Sequence, residues 1–148
     1  MDEQRQAFED YSFAVTGKLF DQHGGKMEQL SEKEQEVVRI WRLEADMYNG
    51  GFLQYFCNWG PENFEKTQQI LNRLGAGKSL AIITECEKMI AVLKDDDRIQ
   101  ELWDIPKYLD EYLDEEQQQR LNELDEEYWE NPDDLQLLAY NYYLKHDA

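Results

Sequence analysis

Apolar side chains recur every three or four residues along most of the chain, the spacing of amphipathic helices. Phe8, Tyr11, Val15 and Leu19 place one apolar stripe on a first helix over about residues 4–20. The segment Asp21-Gln22-His23-Gly24-Gly25-Lys26 is expected to break it, with His23 solvated in a loop. Ser31 and Glu34 have the spacing of a capping box. The helix they open carries Val37, Val38, Trp41, Leu43, Ala45 and Tyr48 and stops at Asn49-Gly50-Gly51, because glycine accepts the left-handed conformation that closes a helix. Pro61 suits a first helical position, with Glu62 and Glu65 beside the positive helix end. That helix continues through Phe64, Ile70, Leu71 and Leu74 to Gly75, and the next runs through Leu80, Ile82, Ile83, Met89, Ile90 and Leu93. Beyond residue 95, Ile99, Leu102, Trp103, Tyr108, Leu109, Tyr112, Leu113, Leu121, Leu124, Tyr128 and Trp129 keep helical spacing and read as packed helices. A last helix follows Asn131-Pro132, with Leu135, Leu138, Ala139, Tyr142 and Tyr143 on its apolar face. The pattern predicts an all-α fold: one compact domain over residues 1–148, a bundle of about six or seven helices joined by short loops.

One stretch departs from this regularity. After Asn49-Gly50-Gly51, five apolar residues fall within seven positions (Phe52, Leu53, Tyr55, Phe56, Cys57). The run is short for an independent helix and too apolar for water, so residues 49–60 are expected to form a tight corner plugged into the core. Gln54 and Asn58, four apart, would share a face. Two readings stay open for them: bonding backbone groups freed by the broken helix ends, or contacting a small ligand. Gly75-Ala76-Gly77-Lys78-Ser79 looks like half a phosphate loop, but Asn72 stands where the first glycine belongs and a helix, not a strand, precedes it. A helix-to-helix turn accounts for it better.

Charge changes the picture most in one quarter of the chain. The whole carries 33 acids against 15 bases, a formal net charge of −18. Residues 95–134 hold seventeen acids and three bases, a net of −14, whereas residues 1–94 hold fifteen acids and eleven bases, a net of −4. Such a chain repels nucleic acid and anionic membranes and attracts basic protein surfaces; direct nucleic-acid binding is excluded, since phosphate contacts need Lys and Arg. The opening residues lack the basic cluster and apolar stretch of a signal peptide, and no run reaches membrane-spanning length. With Cys57 and Cys86 read as reduced core thiols, the expected compartment is the cytoplasm.

Catalytic patterns are missing. His23 and His146 have no companions at ligand spacing, the cysteines lack the spacing of a metal knuckle, and Asp95-Asp96-Asp97 is followed by Arg98 rather than the alternation of a calcium loop. No nucleophile has a base poised nearby. The expectation is a non-enzyme with no cofactor and no metal.

The run Asn49, Gly50, Gly51, Phe52, Gln54, Tyr55, Phe56, Asn58, preceded by Glu44 and Tyr48, resembles the signature of a bacterial helical family, a domain of unknown function whose characterised representative is an acidic DNA-mimic protein. The resemblance covers about residues 30–93, with a weaker helical continuation to the C-terminus. It implies a protein that blocks a DNA-binding transcription factor or nucleoid protein by occupying its DNA site, and it implies a homodimer. The aromatic tail, Tyr140, Tyr142 and Tyr143, is a self-association face or ordinary core.

Some acids have ordinary duties. Asp95, Asp96, Asp97, Asp133 and Asp134 are placed near helix starts, as are Asp114, Glu115 and Glu116. Together with the last three, Glu101, Asp104, Asp110, Glu111, Glu123, Asp125, Glu126, Glu127 and Glu130 form the candidate partner-binding set. The like-charge pairs Glu123/Glu127 and Glu126/Glu130 cost a few tenths of a kcal/mol in a helix, with no evident gain to the fold. Carboxylates three or four apart stand roughly 5–6 Å from one another, on the order of the spacing of phosphates along a DNA strand. The physical reading is an acidic helical protein whose partner is a basic DNA-binding protein. An immunity protein against a basic nuclease toxin uses the same electrostatics, and an acidic scaffold remains a third class.

Overall fold

The first apolar stripe folds into a helix longer at both ends than its periodicity indicates, α1 over Asp2–His23. Gly24 closes it at φ 57°, and the next residue, Gly25, donates its N–H to the Leu19 carbonyl at 2.9 Å. His23 is therefore the last helical residue rather than a solvated loop residue, and its Nδ1 lies 2.8 Å from Gln29 Oε1. The computed structural model describes residues 1–145; His146 lies outside the described residues.

Helix α2 spans Glu32–Asn49 behind the expected capping box: Ser31 Oγ accepts the Glu34 N–H and Glu34 Oε1 accepts the Ser31 N–H, each at 3.1 Å. Helix α3 spans Phe52–Leu74 and α4 spans Gly77–Ile90, with Gly75 (φ 79°) making the turn expected between them. A single-turn helix, α5, covers Ile105–Tyr108; α6 covers Glu115–Trp129; and α7, Leu135–Ala139, runs on into a π-helical turn over Tyr140–Leu144. The fold is all-α, with seven α-helices and no strand among the described residues. Helices α2 and α3 form the central pair; α1 packs on α2 and α7, and α4 bridges α3 to α6. Leu43, Met47, Phe52, Tyr55, Leu71, Ile83, Leu124 and Tyr128 are buried at the centre, drawn from four helices.

The expected tight corner is instead the first half of α3. Residues 52–59 are helical, Gly60 (φ 82°) kinks the axis, and Pro61 opens the second half. Eight residues are too few for a helix in isolation, and tertiary packing supplies the difference. Phe52 stacks on Phe56 at 5.8 Å, and Phe64, beyond the kink, meets both edge-on at 5.8 and 6.0 Å. A buried polar chain spans the same kink. Asn63 Nδ2 donates to Tyr55 Oη at 2.9 Å, the Tyr55 hydroxyl donates to Thr67 Oγ1 at 3.0 Å, and the Thr67 hydroxyl donates to the Asn63 carbonyl at 2.7 Å.

Residues 95–113 do not form the packed helices their apolar spacing suggests. They make short 3-10 turns at Leu102–Asp104 and Leu109–Glu111 around α5. The acids themselves are one cause, because aspartate side chains compete for backbone N–H groups. Asp96 Oδ1 accepts the Arg98 N–H at 2.9 Å, and Asp104 Oδ2 accepts those of Gln100 and Glu101 at 3.0 Å. Asp95–Asp97 consequently mark no helix start. Trp103, Tyr112 and Trp129, assigned to packed positions by spacing, stay 48%, 41% and 45% exposed.

Candidate partner-binding surface

The structure divides the twelve candidate acids by what each one touches. Asp114 caps α6, its side chain accepting the Gln117 N–H at 2.8 Å while Gln117 returns the bond, so its expected local duty is met. Asp104, half-buried, holds two backbone amides and Lys107 Nζ at 2.9 Å. Glu111 pairs with Arg98, which also grips Asp96; Asp96 is held well below the usual carboxylate range by Arg98 and by the Tyr112 hydroxyl. Glu101 and Asp110 are exposed on the turns before α6.

Asp125 is a correction. It does not face solvent with its neighbours: it is half-buried, and its Oδ1 accepts the Phe52 N–H at 2.9 Å, capping α3 from 73 positions away. Burial pushes this carboxyl up, against the backbone hydrogen bond that pulls it down. The approach depends on Gly51, at φ 102°, where a Cβ would stand 2.3 Å from Asp125 Oδ2. Asp133 does the same for α4, accepting the Ser79 N–H at 2.5 Å. A carboxylate of the chain itself thus occupies the amide that half a phosphate loop would have offered to phosphate. Neither Gly51 nor Ala76 supplies a side-chain cap.

What remains is the outer face of α6. Glu115, Glu116, Glu123, Glu126, Glu127 and Glu130 are all exposed. Of the two like-charge pairs, Glu123/Glu127 is relieved and Glu126/Glu130 is not. Arg120 lies 3.3 Å from Glu127 and 3.7 Å from Glu123, and its Nε and Nη2 donate to Glu85 of α4 at 2.8 and 3.0 Å. Glu115, Glu116, Glu126 and Glu130 make no ion pair among the described residues. Exposed Trp129 sits on the same helix, its Nε1 donating to the Met47 carbonyl.

The signature residues form a separate cluster. Gln54 and Asn58 share a face as expected, but they bond a carboxylate rather than free backbone. Asp46 of α2 accepts Gln54 Nε2 at 2.9 Å, Asn58 Nδ2 at 3.3 Å and Trp59 Nε1 at 2.6 Å, and Asn58 Oδ1 accepts Trp103 Nε1 at 3.1 Å. Both amides thus have partners within the fold. Phe52, Tyr55 and Phe56 are core, Gly50 leaves room for the Gln54 side chain, and Asn49 ends α2 exposed. Sequence reasoning missed Glu44 as more than a flanking residue. Its carboxylate accepts the Tyr128 hydroxyl at 2.6 Å, and burial pushes it up to about 7, the hydrogen bond opposing.

Cys57 and Cys86 are buried free thiols, Cys57 pushed up to about 11 by burial. No group of three or more His, Cys, Asp or Glu side chains is placed to hold a metal ion among the described residues, and no helix there is long and apolar enough to cross a membrane. In the tail, Tyr143 is core, Tyr140 is half-buried and Tyr142 is exposed.

In comparisons with known proteins, the family model described as DMP19-like protein matches residues 28–146. No curated protein and no solved structure matches the chain significantly.

Proposed function

The chain belongs to the DMP19-like protein family, and we propose that it acts as a DNA mimic, a binding protein whose α6 face occupies the DNA site of a basic DNA-binding protein. The observation that carries this reading is the row of exposed carboxylates on α6 that no cap requires. Leaving aside the inward-turned Asp125, six exposed glutamates and Arg120 lie between residues 115 and 130, a net of −5. At about 1.5 Å per residue the row is about 22 Å long, or roughly one negative charge per 4–5 Å. One strand of B-form DNA carries about one per 3.4 Å, so a groove evolved for phosphates meets a comparable line of charge. Trp129 supplies the exposed aromatic anchor that protein interfaces favour.

The test starts from capture of a partner out of a lysate of the encoding organism, followed by competition with purified components. The chain is expected to displace duplex DNA from the captured protein. The triple variant Glu116→Gln/Glu126→Gln/Glu130→Gln is expected to lose at least tenfold in that displacement, since each tenfold corresponds to about 1.4 kcal/mol, with its helicity unchanged. Displacement as strong by the triple variant as by the native chain refutes the α6 reading.

A further inference from the structure

A polar cleft of about 360 Å³ opens along α2 and α3, sharing no residue with α6 or the acidic turns. In a chain of net charge −18, three of the 15 bases line it: Arg39, Lys66 and Arg73. Two of them are already engaged. Arg73 is tied to Glu36, which also accepts the Tyr143 hydroxyl at 2.6 Å, and Lys66 lies 3.2 Å from the exposed Glu62. Arg39 differs. It is only 9% exposed, its Nε has no hydrogen-bond partner, and it makes no ion pair among the described residues.

A guanidinium carries five donors and keeps its charge in proteins, so a buried one without an acceptor is costly. An unsatisfied buried donor bears its whole desolvation penalty, and a charged one bears more. Burial pulls the Arg39 guanidinium below its ordinary range, and the more distant charges of Glu62 and Glu36 only partly offset this. An acceptor entering the cleft would remove the penalty. We propose that the cleft binds the oxyanion group, phosphate or carboxylate, of a small molecule, with Arg39 as the deep donor and Lys66 and Arg73 at its rim. The planar fork of arginine suits both groups. Glu32 and Glu36 also line the cleft, which limits the ligand to a compact anion and rejects a polyanion.

Calorimetric titration of the full chain with inorganic phosphate, and separately with succinate, at constant ionic strength tests this. Saturable binding of at least one is expected, with a Kd of about 1 mM or tighter, equivalent to about −4 kcal/mol; the arm that saturates names the chemistry. Arg39→Lys keeps the charge but loses the fork and is expected to weaken binding about tenfold. Lys66→Gln alters an exposed side chain that the fold does not need and is expected to weaken it two- to threefold by roughly the value of one exposed charge. If Arg39→Lys fails to fold by circular dichroism, Lys66→Gln decides. Absence of saturable binding in both arms overturns the proposal, as does an affinity that Lys66→Gln and folded Arg39→Lys leave unchanged.

Discussion

Asp125 shows how little a single carboxylate's surroundings in the chain reveal about its task. It sits among Glu123, Glu126 and Glu127, yet it alone turns inward to cap α3. Asp125→Ala is expected to cost about 1 kcal/mol, the ordinary value of a lost cap, read as a lower urea midpoint. Gly51→Ala is expected to cost more, about 2 kcal/mol or above, because φ 102° is glycine territory and the new Cβ meets the Asp125 carboxylate. Combining the two changes should cost less than their sum, since removing Asp125 relieves the clash; strict additivity would mean that the two residues do not meet. Glu44 offers a pH test. Its folded carboxyl holds the proton more tightly than the unfolded one, so its contribution is fully present below about pH 4.5 and is lost as pH rises through about 7. Glu44→Gln is expected to flatten the fall in melting temperature between about pH 5 and 7, and to leave the protein more stable than the native chain at the upper end by about 1–3 kcal/mol. Parallel melting curves across that range would contradict the assignment.

Helices were legible where their signals are local. The Ser31 and Asp114 boxes sit three residues from their partners, and the stop at Asn49-Gly50-Gly51 is written in adjacent glycines. The two misreadings have different origins, contacts across a kink in one and side chains taking nearby backbone amides in the other. Residues 52–59 become helix because Phe64 and Thr67 lie across the kink, and residues 95–113 fail to become helix because their aspartates capture backbone amides and Arg98. On α6 the charges stand closer to balance than their spacing suggested, through Arg120. Arg120→Gln leaves Glu85, Glu123 and Glu127 without their shared cation. The expected loss is about 1 kcal/mol at low ionic strength, shrinking as salt is added; a loss independent of salt would assign it to packing instead.

Taken together, the molecule carries far more negative charge than its core requires, and the charge acts in two opposite ways. Self-repulsion weakens the compact state, so raising sodium chloride from about 0.02 M to 0.3 M should raise the melting temperature as the Debye length shortens. The same salt should weaken capture of a basic partner. Opposite signs in the two measurements are the expected signature of a charged face kept for binding. A melting temperature that falls with salt would show that ion pairs such as Arg5 with Asp134 and Arg120 with Glu85 outweigh the repulsion.

The long-range caps also bear on how the chain comes off the ribosome. Helices α3 and α4 receive their closing carboxylates from Asp125 and Asp133, which are translated after both helices are complete. Until the last third of the chain has emerged, two helix starts stand open and the faces that α6 and α7 cover are bare. A message cut short after residue 94 should therefore yield a polypeptide that proteases clear, and the cell should meet this protein finished or scarcely at all.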